Sequence, residues 1–148
     1  KEAGYPVELV LIENTPFDQV KQQYAACDIG VDQVLYGWHG KVSIELMAMG
    51  KPAVCYIDPE LAPYRQDLPI VNASPKDLTE KLKQLVEHPE LRQNLGERGK
   101  SYAEKYHGVK SIVDQCLEIY QSEPHAYPHG GGRQPAPHIY PAANQNSG

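Results

Sequence analysis

The chain has 148 residues, enough to bury one hydrophobic core and no more, with 41% hydrophobic residues and a formal net charge of −5. That acidic balance argues against a large nucleic-acid footprint, which needs a basic face, and no apolar run approaches the roughly 20 residues of a membrane span. Three cysteines, Cys27, Cys55 and Cys116, are far apart and odd in number, so they supply neither a disulfide framework nor a zinc signature. A cytoplasmic protein is the expectation. The start at Lys1, without initiator Met or signal-peptide core, reads as a piece cut from a longer protein.

Taken in order, apolar runs of strand length alternate with helical patterns. Residues 7–12, Val-Glu-Leu-Val-Leu-Ile, predict a first parallel strand covered on both faces. Thr15-Pro16 predicts a helix start, with Thr15 as N-cap, Pro16 in the first turn and Asp18 near the capping-box position. Phe17, Val20 and Tyr24 then share one helical face. Residues 29–35 predict a second strand, interrupted by Asp32-Gln33. A short helix at about 41–49 stops at Gly50 with Pro52 beyond, an ordinary C-terminal signal. Residues 53–57 and 68–71 predict two more strands, with a charged surface loop carrying Asp58, Glu60, Arg65 and Asp67 between them.

The second half is helical in pattern. Ser74-Pro75 opens a helix with Leu78, Leu82, Leu85 and Val86 on one face. His88-Pro89 ends it and begins another, with Leu91, Leu95, Tyr102 and Tyr106 on one side. Gly96 and Gly99 each weaken that helix by about 1 kcal/mol relative to Ala, which points to close packing as their reason. A last helix, about 109–121, carries an apolar stripe of Val109, Ile112, Val113, Cys116, Ile119 and Tyr120. From Ser122 the chain is rich in Pro, Gly and His with little to bury, so residues 122–148 read as a disordered tail. His125, His129 and His138 within it fit no defined zinc spacing, and no metal site is expected. Alternating β and α elements make the body an α/β domain with a parallel sheet, short of strands for a complete open one.

The residues with chemistry lie at 37–45. Gly37 and Gly40 bracket a loop that follows a strand and opens a helix, where open α/β sheets bind ligands. There the N–H groups of Lys41 and Val42 are candidates for holding a phosphate; the bland alternative is a loop needing glycines for its shape. Glu45 is the one carboxylate on an otherwise apolar helix, so it is paired, faces a cleft to accept from a hydroxyl, or is exposed on one narrow face. Trp38 either stacks on a ring or anchors the loop. His39 either moves a proton or shapes the site, and Asp32 either lines the cleft or accepts a backbone hydrogen bond.

Two stretches carry a family resemblance. Tyr24-Ala-Ala-Cys-Asp-Ile-Gly-Val31, then Gly37-Trp-His-Gly-Lys-Val-Ser-Ile-Glu-Leu-Met-Ala-Met-Gly-Lys-Pro-Ala-Val54, resembles the C-terminal, donor-binding domain of GT-B glycosyltransferases of the "glycosyl transferases group 1" (family 4-like) type. Residues 91–107 are similar to the helices that close such domains, and the resemblance covers about residues 5–121.

It implies a partial Rossmann-like parallel sheet with flanking helices over 1–121, the nucleotide-sugar-binding domain truncated at its N-terminus. It implies that Gly40 and the backbone amides after it contact the diphosphate of an NDP-sugar donor and that Glu45 binds its ribose; Gly37, Trp38, His39, Lys41 and Val42 complete the expected donor-binding set. The donor is then a substrate, and no cofactor is implied. The hydroxyl acceptor is expected to be bound by an N-terminal domain absent here. The family's phosphate-gripping Arg/Lys pair comes from earlier strands of this same domain, also absent, so the fragment alone is expected to be inactive. The family often has a glutamate eight positions before the second one; Gly37 stands there instead, leaving Asp32 and His39 as weak catalytic candidates. A non-catalytic nucleotide- or phosphosugar-binding module is the alternative, and a GT-B-like sugar-nucleotide epimerase ranks below it.

Overall fold

The computed structural model describes residues 4–61 and 67–121. The expected tail, with His125, His129 and His138, and Arg65 in the charged loop lie outside the described residues. The order of elements is α1 (Phe17–Ala26), β1 (Gly30–Val31), α2 (Lys41–Ala48), β2 (Ala53–Cys55), β3 (Val71–Asn72), α3 (Leu78–Glu87), α4 (Pro89–His107) and α5 (Val109–Gln121). The three strands form one parallel sheet in the order β1-β2-β3, with Gly30 opposite Ala53 and Val54 opposite Val71. The domain is α/β, as the alternation predicts.

All three residues of β2, the central strand, are buried. Successive side chains of a strand point to opposite faces, and two apolar clusters result. Ala53 joins Tyr24, Leu46, Met47, Tyr102 and Ala103 on one side. Val54 joins Ala73, Leu85 and Leu95 on the other. A parallel strand covered on both faces reads as a continuous apolar run, which is why a strand was legible at 53–57, although only 53–55 form it. Asn72 extends the sheet with its side chain: its amide accepts from Ile57 N–H and donates to Ile57 C=O, both at 2.9 Å.

Three expectations change. Residues 7–12 form no strand, and Leu9, Val10 and Leu11 are exposed. An apolar run becomes a strand only where a neighbour offers its N–H and C=O groups, and no described strand does so here. The run at 68–71 shifts to Val71–Asn72, because Pro69 has no N–H for a ladder; Leu68 and Ile70 pack on the first cluster instead. The stripe of α5 is helical as predicted, yet no residue of α5 is buried, and its apolar side chains stand exposed.

Helix starts differ in detail too. Thr15 caps nothing: its hydroxyl donates to the Glu13 carbonyl at 2.9 Å, and α1 begins after Pro16. Ser74 sits in a turn before α3, donating through N–H and Oγ to Asp77 Oδ1 at 2.8 and 2.5 Å. These two bonds hold the half-buried Asp77 carboxyl below its usual 3.8. Pro89 occupies the first turn of α4, as predicted.

Among the described residues the most extensive packing between elements is α2 against α4. α2 ends in a tight turn in which Gly50 N–H donates to Met47 C=O and Lys51 N–H to Leu46 C=O, both at 2.9 Å. This is the glycine-dependent helix stop, with Gly50 at φ +70°. Gly96 of α4 lies directly against that turn, so closely that a Cβ on it would stand 2.1 Å from the Gly50 carbonyl oxygen. Gly99 meets Met47 one turn further along. Close packing is indeed what the two helix glycines serve.

Candidate functional site

β1 ends at Val31, and the chain leaves the sheet through Asp32 and Gln33, still hydrogen-bonded to β2: Asp32 N–H donates to Val54 C=O at 2.8 Å and Tyr56 N–H to Gln33 C=O at 3.0 Å. The loop of Gly37, Trp38, His39 and Gly40 then runs over the C-terminal end of the strands into α2. Gly37 is buried at φ +91°, a conformation that excludes a glutamate there without strain. Its carbonyl accepts from Asp58 N–H at 2.8 Å, and a Cβ on it would stand 3.4 Å from the Asp58 Cβ. Asp58, read from sequence as part of a charged surface loop, is therefore a half-buried neighbour of the glycine loop. The only sequence signal for it was its place just beyond a parallel strand.

Asp32 closes the front of α2. Its Oδ2 accepts from Gly40 N–H at 3.1 Å, from Ser43 N–H at 3.1 Å and from Ser43 Oγ at 2.7 Å. Gly40 is the N-cap and has no side chain with which to cap. Asp32 supplies from the strand the acceptor that an N-cap Ser or Asp would normally supply, next to the positive end of the helix dipole. Of the two sequence readings of Asp32, backbone acceptor is the one the geometry realises. Ser43, fully buried on α2, completes the clasp. The N–H groups of Lys41 and Val42 have no hydrogen-bond acceptor among the described residues.

Glu45 is mostly buried, its side chain 21% exposed, and it pairs with the exposed Lys41 ammonium at 3.3 Å. That ammonium also lies 4.9 Å above the Phe17 ring. Glu45 thus faces α1 rather than bulk water. Tyr24, on α1, records both carboxylates. Its phenol is pushed above the usual 10.0 by burial first, and then by the negative charges of Glu45 and Asp32.

His39 docks the loop on the end of α4, with Trp38 beside it. Their rings are 5.0 Å apart at 30°, and His39 meets His107 edge-on at 6.1 Å and 83°. His107 in turn lies 6.0 Å from Tyr102. Among the described residues no group of three or more His, Cys, Asp or Glu is placed to hold a metal ion, and no helix is long and apolar enough to cross a membrane.

The structure therefore brings Asp32, Gly37, Trp38, His39, Gly40, Lys41, Val42 and Glu45 to one corner of the sheet. Comparison with known proteins gives that corner a context. The family model described as "Glycosyl transferase-like" matches residues 8–118. A protein of Methanocaldococcus jannaschii named as an uncharacterized glycosyltransferase is 30% identical over 107 residues, which are 70% of this chain and 30% of that protein. No solved structure matches significantly. The matched span contains both core clusters and the whole loop–helix corner, and the chain belongs to the glycosyl transferase-like family.

Proposed function

We propose that this chain is the donor-binding part of a GT-B-type glycosyltransferase, in which a sugar passes from an NDP-sugar to a hydroxyl acceptor held by a further domain. The observation that carries the reading is the pair of first-turn N–H groups, Lys41 and Val42, which have no acceptor among the described residues, at the C-terminal end of a parallel sheet. Such a helix start favours a phosphate through its free N–H groups and its dipole. Gly40 N–H is already engaged by Asp32, so the diphosphate falls to Lys41 and Val42.

Glu45 accepts from ribose hydroxyls in this reading. In the unliganded chain it is neutralised by Lys41, an ion pair whose lysine is 79% exposed and which is worth at most about 1 kcal/mol. The donor offers each partner a better match. Lys41 turns to the diphosphate, and the released carboxylate takes the hydroxyl, a charge-assisted bond. Electrostatic support for the departing diphosphate by these donors is the catalytic contribution of this part of the enzyme. Catalysis itself requires the acceptor-binding domain.

Calorimetric titration with UDP, GDP and ADP, repeated on Glu45→Ala, tests the reading. One of the three should bind, and Glu45→Ala should weaken it by about tenfold, the scale of one lost charge-assisted hydrogen bond. Unchanged affinity in Glu45→Ala removes the ribose role.

A further inference from the structure

The clasp on α2 has a geometry that ordinary capping would not give. An N-cap side chain accepts from the second or third N–H of the helix it precedes. Here position 40 has no side chain, and a Cβ placed there would come within 3.1 Å of Gln33 Nε2 and 3.3 Å of Asp32 Oδ2. The cap arrives instead from the strand side, from a residue whose own backbone is pinned to β2. It takes the N–H of Gly40 and the N–H and hydroxyl of Ser43, and leaves Lys41 and Val42 between them uncovered.

We propose that Asp32 is the positioning residue of the donor site: it locks the glycine loop to the sheet so that the Lys41 and Val42 N–H groups stay turned toward the diphosphate. This rests on the donor reading above. Asp32 touches neither sugar nor phosphate and acts through Gly40 and Ser43. What it supplies is an acceptor atom at a fixed place. All three bonds converge on one oxygen, so an asparagine with its amide oxygen in that position keeps all three, and an alanine keeps none.

The test is calorimetric titration with UDP, GDP and ADP of the wild type, Asp32→Asn, Asp32→Ala and Ser43→Ala, each far below its own melting temperature. For whichever nucleotide the wild type binds, Asp32→Ala should weaken affinity by about tenfold, while Asp32→Asn stays within about threefold and Ser43→Ala falls between them. A purely structural role would lower the melting temperature of each variant and leave the affinity of the folded protein unmoved.

Wild-type affinity in folded Asp32→Ala overturns the proposal, as does Asp32→Asn binding no better than Asp32→Ala. Should Asp32→Ala fail to fold, wild-type affinity in Ser43→Ala overturns it. Absence of binding by the wild type is a different failure: it removes the donor reading, and this inference with it.

Discussion

Gly96→Ala is the sharpest test of how the loop–helix corner is held. A Cβ at position 96 would stand 2.1 Å from the carbonyl oxygen of Gly50 and 2.9 Å from its carbonyl carbon. No rotamer relieves this, because a Cβ has no torsion of its own and the obstacle is backbone. Nor can that backbone yield easily. Gly50 is fixed at φ +70° by the two hydrogen bonds that close α2. Helix α4 must therefore back away by about 1 Å, and it does so beside Leu46 and Met47, which are 1% and 0% exposed. In an unobstructed helix interior Ala is better than Gly by about 1 kcal/mol. Overpacking a tight contact costs about 1–3 kcal/mol, and the gap opened at Met47 forfeits dispersion contacts in addition.

The expected net loss is about 2 kcal/mol, or about 8 °C in melting temperature for a domain of this size. Gly99→Ala, in the same helix, is the control. Its Cβ would meet Met47 Cγ at 3.1 Å and Met47 Cα and Cβ at 3.3 Å, a crowding far milder than the 2.1 Å contact at position 96, and the outer part of the Met47 thioether adapts. There the helix gain offsets the crowding, and stability should stay within about 1 kcal/mol of wild type. Urea unfolding followed by circular dichroism measures both. Gly96→Ala as stable as wild type, or Gly99→Ala as harmful as Gly96→Ala, would refute the reasoning.

Two further outcomes follow from the structure. Cys55 is fully buried and its thiol is pushed up to about 11, chiefly by burial, so native protein treated with iodoacetamide at pH 8 should be alkylated at the exposed Cys116 and not at Cys55; mass spectrometry of the digest reads this, and prompt labelling of Cys55 in folded protein contradicts the packing around β2. Asp77 is held below its usual 3.8 by the Ser74 bonds, so its contribution to stability is complete above that value and is lost as pH falls through the lower folded one. Ser74→Ala should thus narrow its stability gap to wild type as thermal melts are carried from pH 5 to pH 2.5, and a gap that widens on acidification counts against the turn.

What was legible in the sequence is what local chemistry decides. Gly50 followed by Pro52 ended α2, Pro89 began α4, and the apolar run at 53–57 marked the central strand, of which 53–55 form the ladder, because each signal acts within a few residues. The misses required a distant partner. Residues 7–12 have the composition of a strand and find no ladder among the described residues. The stripe of α5 has the right period, yet periodicity gives a face and not what covers it. The cap of α2 comes from Asp32, eleven residues before Ser43, where no N-cap rule looks. Asp58 reaches Gly37 across the sheet, and only the fold brings them together.

That pattern bears on how the loop–helix motif works. α2 has eight residues, too few to be stable as an isolated helix in water; its last turn closes within the motif, but its front does not. The front is held by Asp32 from the strand, and the back rests on Gly96 from α4. Between these anchors the direction of the Lys41 and Val42 N–H groups, and the place of Glu45 beside Tyr24, are properties of three separate segments. Transplanting residues 37–52 into another α/β scaffold would carry the side chains and leave both anchors behind. The recognisable run of residues marks where the donor chemistry belongs; an aspartate before it and a glycine far after it give that chemistry its direction.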